Sequence, residues 1–229
     1  MKLLFCILLS FLTPAAFSLE SSTYDFSWLD KDKQVYVLQN RKFRKSQRVY
    51  LNMSAGLTLS GAFVDGQTYQ FRGGYFFRED WGFELIYAMN TPEVNSTAKA
   101  ILAQQSVPFY RKVHGYYGGL LNWSPFYAKM NTFNKIIYFD WILGAGIAKV
   151  DDKNNRLAFT NLDDKTQVSE SHTSAIWQTY VRFYFTEKWG ATVGVTALHY
   201  QATSANSEGE RKNKYYHHYD FAAGLSYTF

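Results

Sequence analysis

The last stretch of the chain, from His218 to Phe229, alternates strictly between two kinds of side chain. The odd positions are apolar or aromatic: Tyr219, Phe221, Ala223, Leu225, Tyr227 and Phe229. The even positions are small or polar: His218, Asp220, Ala222, Gly224, Ser226 and Thr228. This period of two is that of a β-strand with two unlike faces. A soluble strand usually has about 5 to 6 residues, whereas a tilted strand crossing an outer membrane needs about 9 to 11, so the length favours a membrane strand.

The same alternation recurs along the rest of the chain. It is clearest at 49–60, where Val49, Leu51 and Met53 alternate with Tyr50, Asn52 and Ser54. The further stretches that we predict as strands are 69–78, 83–88, 113–123, 137–148, 177–185 and 191–197. In the stretch at 137–148, Ile142 is the one apolar residue that falls on the polar face.

The connections between these stretches alternate in length. The turns at 78–82 and 186–190 are tight, and the connections at 90–112, 150–173 and 202–214 are long and polar. Membrane barrels have short periplasmic turns and longer outer loops, so we expect the three long connections to face outward. Because a sheet in lipid must leave no unpaired edge, the sequence predicts an all-β fold, a closed antiparallel transmembrane β-barrel of about eight strands.

Charged residues also occur on the polar faces of the predicted strands. At about eight strands, the interior of a barrel is just wide enough to be filled by side chains. Ion pairs inside are therefore expected, since an Arg facing lipid near the midplane costs roughly 2 to 4 kcal/mol. The predicted interior polar network consists of Arg72, Arg78, Glu84, Asp140, Arg182 and Asp220.

The N-terminus has the pattern of a secretory signal. Lys2 precedes an apolar run from Leu3 to Leu12, and small residues around Ala16 precede a cleavage point. We predict a cleaved signal at 1–18, a periplasmic arm at 19–47 and the barrel at 48–229. The arm ends in a basic run that we expect to be solvated, or else to touch anionic headgroups or cell wall, formed by Arg41, Lys42, Arg44, Lys45 and Arg48.

Composition argues against several other classes of protein. Aromatic residues make up 19% of the chain, yet the mean hydropathy is slightly negative, as expected for strands with one apolar and one polar face. The net charge of +5 is spread along the chain, and an exported protein seldom meets nucleic acid, so we expect no nucleic-acid partner. Neither a phosphate-binding glycine loop nor a zinc-protease motif is present in the sequence, and we expect no cofactor or metal.

Two polar groupings resemble sites on first inspection. His217 and His218 are too few for a metal site, although His114 and His218 could both point into the barrel near its outer rim. Glu170, Ser171 and His172 contain the residue types of a hydrolase triad. A triad is defined by geometry rather than by adjacency, so we interpret these three residues as part of a polar loop and predict that the chain is not an enzyme.

Aromatic residues cluster at both ends of the predicted strands. Amphipathic rings prefer the interface between membrane and water, so two belts are expected. The periplasmic belt would contain Trp81, Trp123, Trp189 and Phe229. The outer belt would contain Tyr87, Tyr110, Tyr200, Tyr215 and Tyr216.

Two segments carry a resemblance to known proteins. Gly224, Tyr227 and Phe229 resemble the C-terminal signal recognised by the outer-membrane assembly machinery, although Ala222 stands where a polar residue is more usual. The block DKDKQVYVLQNRKFRKSQR, at 30–48, is similar to the N-terminal block of an outer membrane β-barrel domain family of predatory and gliding Gram-negative bacteria, whose members are small OmpA-like barrels. The resemblance implies an eight-stranded barrel in a Gram-negative outer membrane, with no established activity or ligand.

Our functional hypothesis is a non-enzymatic outer-membrane barrel. It would contact outer-membrane lipids and the assembly machinery, and would serve as an envelope component or as a scaffold whose outer loops recognise an extracellular partner. One alternative is a small barrel enzyme acting on outer-membrane lipids. The other is a soluble exported β-sandwich or ligand-binding barrel, which the strand length disfavours.

Overall fold

The computed structural model of the chain describes residues 41–104, 106–132, 135–159, 167–205 and 211–229. Residues Phe43–Phe229 form one compact unit. The predicted signal at 1–18 and all but the last seven residues of the predicted arm at 19–47 lie outside the described residues. Within the described part, no helix has the length and apolar character needed to cross a bilayer.

Eight strands, one α-helix and one 3₁₀ turn make up the described chain. The strands are β1 Arg48–Ser60, β2 Val64–Phe76, β3 Trp81–Val94, β4 Arg111–Thr132, β5 Lys135–Asn154, β6 Val168–Tyr184, β7 Trp189–Ala205 and β8 Arg211–Thr228. Helix α1 spans Ser96–Ala103 in the β3–β4 connection, and the 3₁₀ turn spans Arg156–Phe159 after β5. Every sequence-predicted strand corresponds to one of these eight.

The strands form a closed ring in which each pairs antiparallel with the next and β1 pairs with β8. At this seam Leu51 lies opposite Tyr227, and Ala55 lies opposite Ala223. Over the apolar part of the strands the ring leaves no sheet edge unpaired, which is the condition for a sheet to exist in lipid. The prediction of a closed antiparallel barrel is confirmed.

The outer wall of the ring is apolar, whereas its interior holds buried polar and charged side chains together with clusters of buried apolar and aromatic residues. In β1, Leu51, Met53 and Leu57 are exposed, whereas Tyr50 and Asn52 are buried on the opposite face. In β5, Trp141 and Ile147 face outward, and Asp140 and Ile142 face inward. Since these exposed residues lie around a closed ring, the wall is suited to acyl chains rather than water.

The strands extend beyond the predicted boundaries, mainly at the end opposite the tight turns. We call this the outer end and the end with the turns at 77–80 and 185–188 the periplasmic end. The connections predicted as long loops at 90–112, 150–173 and 202–214 are shortened, because strands continue into all three. Apolar alternation marks only the part of a strand that faces lipid, whereas the hydrogen-bonded ladder continues above it.

Two bulges interrupt the ladder between β4 and β5. At the outer end, Val113 lies opposite Asp152 and Gly115 lies opposite Asp151, so His114 is an extra residue in β4. Such a bulge shifts the alternation of faces by one residue along the strand. As a result, Arg111 and Val113 share the inward face with Tyr116, and Lys112 faces outward.

The outer connections are tied to one another by asparagine side chains. Asn95 caps α1 by accepting a hydrogen bond from the Ala98 N–H at 3.0 Å, and its Nδ2 donates to the Ala62 carbonyl in the β1–β2 turn at 2.9 Å. Asn155 accepts from the Tyr110 N–H at 2.9 Å and donates to the Pro108 carbonyl at 2.8 Å. Side-chain hydrogen bonds therefore hold the described connections of the outer rim in place.

Aromatic rings gather at the periplasmic end as expected. Trp81 and Trp123 stack with ring centroids 6.1 Å apart, and Trp189 packs edge-on against Tyr227 at 5.0 Å. The predicted outer belt is wrong in part. Tyr200 is buried and stacks on the partly buried Tyr216 inside the rim, because both lie on the inward faces of β7 and β8.

Candidate functional site

The interior holds five of the six charged residues that the sequence suggested for it. Their side chains are at most 5% exposed, and they are Arg72, Glu84, Asp140, Arg182 and Asp220. The inclusion of Arg78 is corrected. It lies in the turn after β2, its side chain is 73% exposed, and it approaches Asp80 at 3.8 Å, because β2 ends at Phe76 and the alternation stops there.

Lys45 supplies the interior cation that Arg78 does not. Its ammonium group lies 2.8 Å from Oδ2 of Asp140 and donates to Oγ of Ser124 at 2.6 Å. Phe43 is also buried and stacks on Tyr184 with centroids 5.0 Å apart. Lys45 is thus not solvated, whereas Lys42 and Arg44 of the same basic run are exposed. The Lys45 and Phe43 side chains close the periplasmic mouth of the barrel.

The Glu84 carboxylate is the centre of the interior. Its oxygens accept hydrogen bonds from the Tyr180 hydroxyl at 3.0 Å, from Gln178 Nε2 at 2.6 Å and from Asn122 Nδ2 at 3.2 Å. Tyr50 donates a fourth hydrogen bond. Four donors from β1, β4 and β6 therefore converge on one carboxylate of β3, which fixes these strands relative to one another.

A second carboxylate organises the part of the interior nearer the outer end. Asp220 accepts hydrogen bonds from Thr58 at 2.9 Å and from the Tyr116 hydroxyl at 2.8 Å, and its Oδ1 lies 3.0 Å from His218 Nε2. Arg72 donates to Thr196 at 2.9 Å on the facing side of the barrel. Below the outer rim, the described residues of the interior include three cations and three carboxylates, which are Lys45, Arg72, Arg182, Glu84, Asp140 and Asp220.

A third charged cluster lies at the outer rim. Arg111 Nη1 contacts both oxygens of Asp152 at 2.6 Å and Glu170 Oε2 at 3.0 Å, and Nη2 donates to the Thr203 carbonyl at 2.8 Å. The guanidinium also lies over the Tyr216 ring at 4.9 Å. Arg111 therefore joins the outer ends of β4, β5, β6 and β7.

The carboxylates of this cluster lie above the apolar wall, and their pKa values move in opposite directions. Burial raises the pKa of Asp152, although the hydrogen bonds and charge of Arg111 oppose the shift. Burial acts in the same direction on Glu170, but Arg111 and then Arg156 outweigh it and lower the pKa of that carboxyl. The more exposed carboxylate is thus the more firmly ionised one.

Asp152, Glu170 and His172 are also the described residues whose spacing could suit a metal ion. Their ligand atoms all lie within 4.8 Å of one another. Arg111 Nη1 already lies among them, at 2.6 Å from Asp152, 3.0 Å from Glu170 and 3.3 Å from His172 Nε2. The guanidinium supplies the positive charge there, so these residues fit a structural ion-pair cluster better than a metal centre.

The structure separates the residues of the apparent triad. Glu170, Ser171 and His172 lie in β6 rather than in a loop. Successive residues of a strand point to opposite faces, so Ser171 is exposed on the outer wall while Glu170 and His172 turn toward Arg111. His114 and His218 do not share an environment either: His218 contacts Asp220 inside, and His114 lies at the bulge beside Lys153.

Sequence reasoning missed Lys45 and Arg111. Lys45 precedes the first strand, where there is no alternation to assign a face. Arg111 is placed inward by the bulge at His114, and an uninterrupted alternation in β4 would have turned it outward. A run of polar residues continuing the strands past their apolar part was the available signal for the outer cluster.

Comparisons with known proteins identify likenesses of fold. No family profile and no curated protein matches the chain. Among solved structures, Neisserial surface protein A aligns at 14% identity over 80% of this chain and 96% of its own, with a TM-score of 0.48. The N-terminal β-barrel domain of Pseudomonas aeruginosa OprF aligns at 16% identity over 80% and 98%, with a TM-score of 0.47. The P. aeruginosa outer membrane protein OprG aligns at 14% identity over 82% and 98%, with a TM-score of 0.46.

The closed ring and its apolar wall are those of a transmembrane β-barrel. Within each cluster described above, the charged side chains contact one another or neighbouring hydrogen-bond donors. What the arrangement does chemically is to pair buried charges and join strands, which rigidifies the barrel.

Proposed function

We propose that this chain is a non-enzymatic outer-membrane barrel with a solid interior, serving as an envelope component or as a scaffold for surface recognition. The observation that carries the proposal is the interior itself. The six charged residues described below the outer rim are of balanced sign, and carboxylates such as Glu84 accept hydrogen bonds from several donors. Such an interior stabilises a fixed cylinder and leaves the outer rim to meet other molecules.

The outer rim supports the scaffold role. Asn95 and Asn155 tie neighbouring connections together, and Arg111 joins the outer ends of four strands. A rim held in this way presents a defined surface, including the exposed residues of α1, to an extracellular partner.

The two alternatives are less well supported. A lipid-modifying enzyme would need a nucleophile beside a base, yet Ser171 and His172 lie on opposite faces of β6. A soluble sandwich or ligand-binding barrel would not present the lipid-facing side chains of this closed ring to water.

We further propose that Gly224, Tyr227 and Phe229 act as the signal read by the assembly machinery, and that the chain belongs to the barrel family of predatory and gliding bacteria. Tyr227 and Phe229 pack edge-on with centroids 5.0 Å apart at the periplasmic end of β8. They are therefore adjacent on the last strand, available together to a periplasmic receptor.

Cell fractionation with heat-dependent gel mobility tests the proposal. We expect the protein in the outer-membrane fraction, with different mobility before and after boiling, because a closed barrel resists detergent until heated. Recovery from the aqueous periplasmic extract, without a mobility shift, would contradict it.

Cysteine labelling tests the orientation. The only cysteine of the chain, Cys6, lies in the predicted signal peptide. Labelling of an introduced cysteine therefore has no background from another thiol of the predicted mature chain. In intact cells, an impermeant maleimide should label Thr97→Cys on α1 and spare Glu187→Cys in a periplasmic turn, both positions being exposed. The reverse pattern would place the recognition surface in the periplasm and refute the scaffold role.

A further inference from the structure

The apolar wall ends abruptly on β4, β5 and β6. In β5 the last apolar outward residue is Ile147, and the next outward residue is Lys149, which lies opposite Tyr117 on one side and Thr173 on the other. Above this level, β6 presents hydroxyl groups rather than apolar side chains. Lys149 is therefore at the depth where acyl chains give way to headgroups.

Two further lysines face each other two outward positions above Lys149. Lys112 of β4 and Lys153 of β5 are directly opposite in the ladder and share the outward face. Like charges in this position destabilise a sheet unless something neutralises them. Lys112 lies over the Tyr110 ring at 5.5 Å, but among the described residues neither lysine forms an ion pair with a carboxylate.

A shallow hollow of about 290 Å³ lies beside this pair. Its lining includes Lys153, the hydroxyl residues Ser169 and Ser171 of β6, and the bulge residue His114. The Nε2 atom of His114 is buried and has no hydrogen-bond partner among the described residues. Burial, then the charges of Lys153 and Lys112, lower the pKa of His114, and the charge of Asp152 opposes this shift.

We propose that Lys112, Lys153 and the adjoining hollow bind the phosphate group of an outer-leaflet lipid. Two ammonium groups complement a phosphate charge, and the two serine hydroxyls can donate hydrogen bonds to its oxygens. The hollow continues the lipid-facing wall upward, so a lipid with its chains on Ile147 would bring its headgroup there. This inference rests on the proposed function, since it requires the barrel to lie in an outer membrane.

Three acidic groups line the same hollow. Asp151 is exposed on the outward face of β5, between Lys149 and Lys153, and it also lines the hollow. It opposes anion binding without cancelling the three lysines. Asp152 and Glu170 line the hollow as well, but Arg111 forms ion pairs with both of them. Removing the Asp151 charge should therefore strengthen anion binding, so this variant is expected to change the affinity in the opposite direction to the lysine variants.

The test uses the folded barrel in zwitterionic micelles, titrated with short-chain phosphatidic acid, with short-chain phosphatidylcholine and with inorganic phosphate. The amide shifts of Lys153 and Ser169 report binding by NMR. The variants are Lys112→Gln, Lys153→Gln and Asp151→Asn, with Lys188→Gln at the exposed periplasmic turn as the matched control.

We expect saturable amide shifts when phosphatidic acid is added. Lys112→Gln and Lys153→Gln should each bind it about fivefold more weakly, which corresponds to ~1 kcal/mol. Asp151→Asn should bind it more tightly, and Lys188→Gln should bind it as the parent does. Equal binding of phosphatidylcholine, or unchanged binding in Lys112→Gln and Lys153→Gln, would overturn the site. Equally tight binding of inorganic phosphate would overturn the assignment to a lipid. A barrel that keeps its heat-dependent mobility while failing these tests would leave the proposed function standing.

Discussion

The ammonium group of Lys45 lies 2.8 Å from Oδ2 of Asp140, and both side chains are buried, at 3% and 0% exposure. Tyr184 donates a hydrogen bond to the same carboxylate, and Arg182 lies opposite Asp140 in the ladder. The residue that closes the mouth of the barrel thus comes from the segment before the first strand.

This relationship predicts the effect of removing Lys45. Lys45→Ala leaves the buried Asp140 carboxylate without its ion-pair partner, so the free energy of unfolding should fall by about 3 kcal/mol. Asp140→Asn added to that variant should recover part of the loss, because no unpaired charge then remains. Urea unfolding of the barrel in micelles measures both values.

Arg44→Ala is the matched control, since the neighbouring cation Arg44 is exposed. It should change the unfolding free energy by less than about 0.5 kcal/mol. If the effects of Lys45→Ala and Asp140→Asn simply add in the double variant, the two residues do not interact and the seal is not an ion pair.

Glu84 should be the most sensitive interior position. Glu84→Ala leaves Tyr50, Tyr180 and Gln178 without their shared acceptor and unbalances the buried arginines, so we expect a loss of about 3 to 5 kcal/mol. Asn52→Ala, which breaks a single 2.7 Å hydrogen bond to Thr192, should cost about 1 kcal/mol. Equal losses in urea unfolding would show that Glu84 is not the centre of the network.

The faces of the strands could be predicted from the sequence, because only the lipid-facing side of each strand must be apolar. Outward Leu51 and Ile147 and inward Asp140 and Arg182 follow from alternation alone. The lengths of the strands could not be predicted in the same way. Above the lipid the outward face is polar as well, so apolar alternation does not mark residues such as 149–154 of β5 as part of a strand.

The composition of the candidate site was predictable only where alternation was unbroken. Arg78 follows β2 in sequence but lies past the end of the ladder, and Lys45 reaches the interior through tertiary contacts with Asp140 and Ser124. The bulge at His114 depends on the pairing of β4 with β5, so the sequence of β4 alone does not predict it.

The cost of a charge on the wall should depend on its depth. Leu85 lies near the middle of the apolar face of β3, and Thr91 lies on the same face near the outer end; both are exposed. Leu85→Arg should lower the unfolding free energy in bilayers by about 2 to 4 kcal/mol, and Thr91→Arg by about 0 to 1 kcal/mol. Equal costs would mean that this wall is not immersed in lipid.

The seam between β1 and β8 depends on two glycines. A Cβ on Gly224 would lie 2.0 Å from the Met53 carbonyl oxygen, and one on Gly56 would lie 1.9 Å from the Phe221 carbonyl oxygen. Neither contact can be relieved by a side-chain rotation, because both partners are backbone atoms. Gly224→Ala should therefore weaken closure of the ring, whereas Gly73→Ala, whose Cβ would meet Leu51 at an ordinary 3.4 Å, should not.

Refolding without any cellular machinery separates this steric role from the proposed assembly signal. In detergent micelles, Gly224→Ala should lose the heat-dependent mobility shift, and Gly73→Ala should retain it. If Gly224→Ala refolds like the parent in micelles and fails only in cells, the glycine serves recognition by the assembly machinery and the seam tolerates a methyl group. If it fails in both, close approach of the two backbones at the seam is what the position requires.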